Sequence, residues 1–251
     1  MNILLVNDDG FDSPFLQLLC RATAARGHHV TVCAPATQQS AKSHAYTVFQ
    51  PLLAQKRQMD GADQAWAIEG TPVDCCRIGF MSICDKRPDL VISGINHGYN
   101  TGFAVYVSGT VGAAREAAFQ GIPAMALSAE YQTPPETLSF FADWAVTLAE
   151  RLVNYPAPAF SVCNLNVPPV PMFELKEPRM CNITRNLYKD SYEHRKSPRG
   201  DDYFWLTPLE QDYESTPGSD QDLLSRGHIT CTFLTPDGCD QQKYADFLTG
   251  L

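Results

Sequence analysis

No stretch of this sequence is apolar over the length that a helical membrane span requires, so no membrane association is expected. C-x-x-C pairs are missing too. The nine cysteines, Cys20, Cys33, Cys75, Cys76, Cys84, Cys163, Cys181, Cys231 and Cys239, are spaced for neither a disulfide framework nor a zinc site. Reduced thiols of this kind point to the cytoplasm. The first apolar run, Ile3 to Val6, is cut off by Asn7-Asp8-Asp9, so it makes no signal-peptide core, and a cytoplasmic location is expected. Basic charge is scarce: 19 Lys and Arg against 28 Asp and Glu leave a formal charge of −9. With no basic patch to offset that field, binding to nucleic-acid polymers is not expected, whereas small phosphorylated substrates remain compatible with a local cation. Internal repeats and low-complexity tracts are also lacking.

What is present is globular in composition. The 251 residues are 44% hydrophobic and 19% charged, enough for one well-buried α/β core. Ile3 to Val6 reads as a strand buried on both faces. Ser13-Pro14 opens a helix that Gly27 stops, and His29 to Ala34 alternates as a second strand, which makes a β-α-β unit with parallel strands. The alternation continues with a strand at Trp66 to Ile68, a helix from Thr71-Pro72 through Phe80, and a buried strand at Asp89 to Ile92. A glycine-rich loop, a helix from Gly109 to Gln120, a strand at Ala124 to Leu127 and a helix from Pro135 to Val153 follow. This is the pattern of an open, mostly parallel sheet with helices on both faces. The last third differs. A strand at Phe160 to Val167 lies among prolines, and residues 173 to 215 carry polar and aromatic runs without helical periodicity, as in an extended arm or hairpin. A helix at Gln221 to Arg226, a strand at His228 to Leu234 and a short terminal helix complete the expected order.

In parallel sheets ligands gather beyond the carboxyl ends of strands, where three loops here are chemically unusual. These are Asn7-Asp8-Asp9-Gly10, the segment from Pro35 to Ser43, and Ser93 to Gly102. Two adjacent carboxylates repel when ionised, and a divalent cation keeps both charged; Ser40 and Asn96 would complete an all-oxygen set that favours Mg²⁺, Mn²⁺ or Ca²⁺ over zinc. The same Asp-Asp-Gly equally suits a turn that caps the next helix. In the third loop Gly94, Gly98 and Gly102 recur every four residues, and Ser108-Gly109-Thr110 leads into a helix whose free N–H groups suit phosphate. His97, His44 and Lys42 are lesser candidates around this site, and Asp74 reads as a first-turn helix carboxylate.

Taken in order, Asn7-Asp8-Asp9-Gly10, Ala34-Pro35 with Gln39-Ser40, Glu69-Gly70-Thr71-Pro72-Val73-Asp74-Cys75, Ser93-Gly94-Ile95-Asn96 with Gly98 and Asn100, and Ser108-Gly109-Thr110-Val111 resemble the motifs of the SurE family of nucleotidases. Asn164-Leu165-Asn166-Val167-Pro168 and Arg226-Gly227-His228 extend the resemblance over nearly the whole chain. The resemblance implies a Rossmann-like core over about residues 1–170, with about residues 171–251 as a C-terminal arm that builds a homodimer or homotetramer. It implies hydrolysis of nucleoside monophosphates, at the 5′ or 3′ position, with one Mg²⁺ or Mn²⁺ per subunit held by Asp8, Asp9, Ser40 and Asn96. Asp8, Asp9 and Asn96 would be catalytic, and Asn96, Gly98, Ser108, Gly109 and Thr110 would surround the phosphate, with a metal-activated water as nucleophile. A covalent aspartyl-phosphate route is the enzymatic alternative, although the aspartates here are adjacent rather than one residue apart. A nucleotide-binding module without turnover is the other. This chain departs from the family pattern at Ala36, Ala41, Ala104 and Val107. None of these is a metal-ligand position, and their bearing is on nucleotide preference and rate.

Overall fold

The structure, a computed structural model, describes residues 1–185, 190–207 and 215–236. Its centre is a nine-stranded sheet in the order β3-β4-β2-β1-β5-β6-β7-β11-β8. The strands are β1 Asn2–Val6, β2 His29–Pro35, β3 Ala54–Arg57, β4 Gln64–Ile68, β5 Leu90–His97, β6 Ala124–Ala129, β7 Val162–Val167, β8 Lys176–Met180 and β11 His228–Leu234. β3 runs antiparallel to β4 and β11 antiparallel to β7, while the other neighbours are parallel. The expected α/β architecture is therefore present.

Helices cover both faces because their apolar residues recur at helical spacing. On one face α1 (Pro14–Ala25) and α5 (Pro135–Leu152) meet; α5 buries Leu138, Phe141, Ala142, Ala145, Val146, Ala149 and Leu152, a single stripe. On the other, α2 (Pro72–Ile78) and α4 (Gly109–Phe119) bury Cys75, Cys76, Val111, Ala114 and Ala117 against β1 and β5. A π-helical turn, Gly79–Ile83, extends α2, and short helices α3 (Ala104–Val107) and α6 (Asp220–Ser225) complete the set among the described residues. Cys20, Cys33, Cys75, Cys76, Cys163 and Cys231 are all buried as free thiols.

Several boundaries differ from the sequence reading, each for a tertiary reason. β5 does not stop at Ile92 but continues to His97, because after a register shift Asn96 and His97 pair with Ser128 and Ala129. Half of the expected glycine loop is thus strand. Such an irregularity re-aims side chains at a sheet end. Phe160 stands outside β7, in a turn with φ 57°. β3 and β8 were not anticipated as strands of the main sheet; they are edge strands with every residue exposed, so neither carries an apolar alternation. In the arm, β9 (Ser191–Lys196) and β10 (Asp202–Thr207) form a separate antiparallel hairpin. The expected terminal helix lies outside the described residues.

Candidate active site at the sheet switch point

The chain leaves β1 toward β2 on one side and returns to lay β5 on the other, so a crevice opens beyond the carboxyl ends of these two strands. Asn7 to Gly10 follow β1 directly. Gly10, at φ 100°, makes the turn that a side chain would resist, and Asn7 Nδ2 braces it by donating to Gly10 O at 2.8 Å.

Asp8 enters the start of α4. Its carboxylate accepts from the Thr110 hydroxyl at 2.5 Å and from the Thr110 N–H at 3.2 Å. Ser108 caps the helix by accepting from Val111 N–H at 3.1 Å. Between them Gly109 has no room for a side chain, since a Cβ would stand 3.0 Å from Asp8 Cβ and 2.9 Å from Pro72 Cγ. Asp8 is only 4% exposed. Burial, reinforced by the charge of Asp9, pushes its pKa up to about 6 although the Thr110 hydrogen bonds pull the other way. Asp9 is held by β5 instead. Its carboxylate accepts from His97 N–H at 2.9 Å and lies 3.7 Å from His97 Nδ1; burial raises its pKa against these contacts.

The neutral oxygens stand on segments tied to the same two residues. Gln39 N–H donates to Asp8 O at 2.7 Å, which fixes the chain beside Ser40, and the Ser40 hydroxyl accepts from Gln38 Nε2 at 3.0 Å. Asn96 precedes the residue that binds Asp9. Its amide donates to Gly98 O at 2.7 Å, so the carbonyl end is left to act as an acceptor. Asp9, Phe11, Ser13, Thr37, Gln38 and His97 line a cleft of about 300 Å³. His97 packs edge-on against Phe15 at 4.1 Å and Tyr131 at 5.6 Å, and its Nε2 is buried with no partner among the described residues.

Not every expected donor is free. Thr110 N–H and hydroxyl are both used by Asp8, and Gly98 N–H is used by Ala129 O at 2.8 Å. At the helix start this leaves the Gly109 N–H and the Ser108 hydroxyl proton. The lesser candidates scatter. Asp74 is a first-turn carboxylate in a capping box with Thr71, and it also accepts from Thr47 N–H and hydroxyl at 2.8 Å each. His44 sits 2.9 Å from Glu116 on α4, and Lys42 is exposed.

A buried polar cluster, whose role the sequence reading missed, anchors the loop after β5. Asn100 N–H donates to Asn166 Oδ1 at 2.9 Å and Asn100 Nδ2 to Ser128 Oγ at 2.8 Å, while Asn164 Nδ2 and Asn166 Nδ2 donate back to Asn100 O at 2.9 and 3.2 Å. Asp220, 1% exposed, accepts from Gly102 N–H and Thr184 N–H at 2.8 Å each. The signal was in the sequence: Asn164 and Asn166 alternate with apolar residues inside a strand buried on both faces, where an amide must have partners.

Known proteins resemble this chain over nearly its whole length. A family model described as "Survival protein SurE" matches residues 3–190. A protein named 5'-nucleotidase SurE from Maridesulfovibrio salexigens is 40% identical over 245 residues, 98% of this chain and 97% of its own. Another of that name, from Nitratidesulfovibrio vulgaris (strain DSM 19637 / Miyazaki F), is 43% identical over 242 residues, 96% of this chain and 89% of its own. The crystal structure of the Sure protein from Aquifex aeolicus superposes with a TM-score of 0.81 at 30% identity, covering 99% of each chain. With the motif segments gathered at one sheet switch point and relatives aligned along nearly its full length, the chain belongs to the SurE family.

Proposed function

We propose that this chain is a divalent-cation-dependent nucleotidase that hydrolyses nucleoside monophosphates at the 5′ position, and at the 3′ position as well, with one Mg²⁺ or Mn²⁺ per subunit. Relatives named 5'-nucleotidase SurE at about 40% identity support phosphate-ester hydrolysis of nucleotides. The observation that carries the cation is the pair Asp8 and Asp9. Both carboxyls are desolvated, and burial raises both pKa values even with His97 Nδ1 3.7 Å from Asp9, a setting in which a dication would supply the counter-charge that keeps the pair ionised.

The donor chemistry fits. Asp8, Asp9, the Ser40 hydroxyl and the Asn96 carbonyl are all hard oxygens suited to Mg²⁺ or Mn²⁺. Among the described residues no group of three or more His, Cys, Asp or Glu gathers at a candidate metal site, so a cation here would depend on those neutral oxygens. When bound, it would polarise phosphoryl oxygens and acidify a water for in-line attack. Asn96, the Gly109 N–H and the Ser108 hydroxyl would stabilise charge on the phosphoryl group at the α4 N-terminus. Thr110 and Gly98 serve one step removed, by holding Asp8 and the turn after β5. A cavity of about 620 Å³ bordered by Tyr99, Thr101, Phe103, Glu130, Val170 and Leu224 flanks the same loop and offers room for a nucleoside.

The β9–β10 hairpin supports a homo-oligomer. An isolated two-stranded hairpin is marginal in water, and this one exposes Tyr192, Phe204, Trp205 and Leu206.

The test is a phosphate-release panel of 5′- and 3′-nucleoside monophosphates with chelator, with Mn²⁺ or Mg²⁺ restored, and with an Asp9→Ala variant. Chelator should abolish release, metal should restore it, and Asp9→Ala should lower kcat by about a hundredfold or more. Full activity in chelator would remove the cation from the reaction.

A further inference from the structure

Ser40 stands in the segment Ala36 to Leu53, in which no side chain is buried. A segment without a core of its own holds a position only through hydrogen bonds and steric seating. Gln39 N–H, donating to Asp8 O, ties it before Ser40, and Thr47, donating to Asp74 of α2, ties it further on. Between these, the anchors just after Ser40 lie on α4 and the α3 turn before it. Ser43 N–H donates to Val107 O at 3.0 Å, and the Ser43 hydroxyl donates to Tyr106 O at 2.6 Å. One residue on, His44 Nε2 lies 2.9 Å from Glu116 Oε2, and the His44 ring stacks on Phe119 at 5.5 Å. The other Glu116 oxygen accepts from Arg77 of α2 at 2.6 Å, so a carboxylate only 5% exposed is bridged between α2 and the Ser40 segment.

Gly112 makes this seating close. A Cβ at this helical position would overlap Ser43 O, with Ser43 C at 2.8 Å and His44 Cα at 3.3 Å. The backbone at Ser43 and His44, shortly after Ser40, therefore rests directly on the α4 backbone. It is the same helix whose first turn grips Asp8 through Thr110.

We propose that His44 and Glu116, with Gly112 as the seat, are positioning residues that hold Ser40 in register with Asp8 and so set the affinity of the cation site. The inference rests on the cation reading above, because it concerns one of that site's four donors. Asp8 and the chain after Ser40 are then referenced to one rigid element, and loss of the clamp leaves Ser40 held on one side only, by Gln39 N–H on Asp8 O, while Asp8 stays in place. Supports of this kind typically influence metal affinity about tenfold to a hundredfold.

The experiment measures free Mn²⁺ by electron paramagnetic resonance during titration of the full-length protein, alongside melting curves and kcat and KM for a nucleoside monophosphate. Three variants are compared: His44→Ala, His44→Gln and Gly112→Ala. His44→Ala should weaken Mn²⁺ binding by about tenfold, and His44→Gln, which keeps a donor toward Glu116, should recover most of it. Gly112→Ala should weaken Mn²⁺ binding similarly while the protein stays folded, because alanine is the better helix former and the displaced segment is exposed. Wild-type protein that takes up no Mn²⁺ would overturn the cation reading and this inference together. Wild-type uptake with unchanged affinity in His44→Ala and Gly112→Ala, both folded, would overturn the inference alone.

Discussion

At the scale of single residues, two positions have consequences that follow from backbone or burial alone. Ala41, one of the positions at which this chain departs from the family pattern, sits at φ 58°, in the left-handed region where a Cβ costs about 1–2 kcal/mol. Ala41→Gly relieves that strain but gives the unfolded chain more freedom, so the net gain expected in urea unfolding is roughly 0.5–1 kcal/mol. Ser43, also at positive φ, is unlike Ala41 in being held by two hydrogen bonds. Asp8 makes stability depend on pH. Its folded pKa of about 6 lies above the ordinary 3.8, so the folded state binds the proton more tightly than the unfolded state. The contribution, about 3 kcal/mol, is present below about pH 4 and is lost as pH rises through about 6. Metal-free protein should therefore melt lower at pH 7.5 than its other groups would dictate. Added Mn²⁺ should raise the melting temperature more at pH 7.5 than at pH 5; equal shifts at the two pH values would contradict the assignment of Asp8. The candidate residues themselves were legible, because Asp-Asp after an apolar run and Ser-Gly-Thr before a helix are local signals. That Thr110 is spent on Asp8 was not legible, since 102 residues separate the two.

At the scale of elements, the loop after β5 is held by β7 and α6 rather than by its own glycines. Asn166→Ala would strip Asn100 N–H of its acceptor in a buried setting, a loss of about 1–3 kcal/mol. Part of that loss should appear as a higher KM with kcat less affected, checked by steady-state kinetics beside urea melts. An unchanged KM would confine the cluster to stability. The long helices and central strands could be read from sequence because burial imprints a period on them: α5 carries its stripe, and β6 is buried at every position. β3 and β8 carry no such imprint, for an edge strand of Ala-Gln-Lys-Arg or Lys-Glu-Pro-Arg-Met has no apolar face to bury. Their charge suits an edge, where it discourages pairing with another chain. Pairing of β5 beyond Ile92 was hidden for a different reason, because it depends on Ser128 and Ala129 of β6 lying alongside.

At the scale of the whole molecule, the β9–β10 hairpin stands apart from the main sheet with its aromatic residues exposed. If a second copy covers that surface, Phe204→Ser with Trp205→Ser should lower the mass measured by light scattering while leaving the circular dichroism of the core intact. A wild-type protein that is already monomeric would end the proposed oligomer. No helix among the described residues is long and apolar enough to cross a membrane. The sequence by itself determined the alternation of strands and helices, the identity of the acidic pair and the family, because each is written in short-range pattern and residue type. Only the tertiary structure decided which oxygens Asp8 and Asp9 meet, which asparagines pin the loop after β5, and that the backbone around Ser43 rests on Gly112. Those contacts join residues far apart in the chain, and their partners are selected by the order of strands and the packing of α4, quantities that no local window of sequence contains.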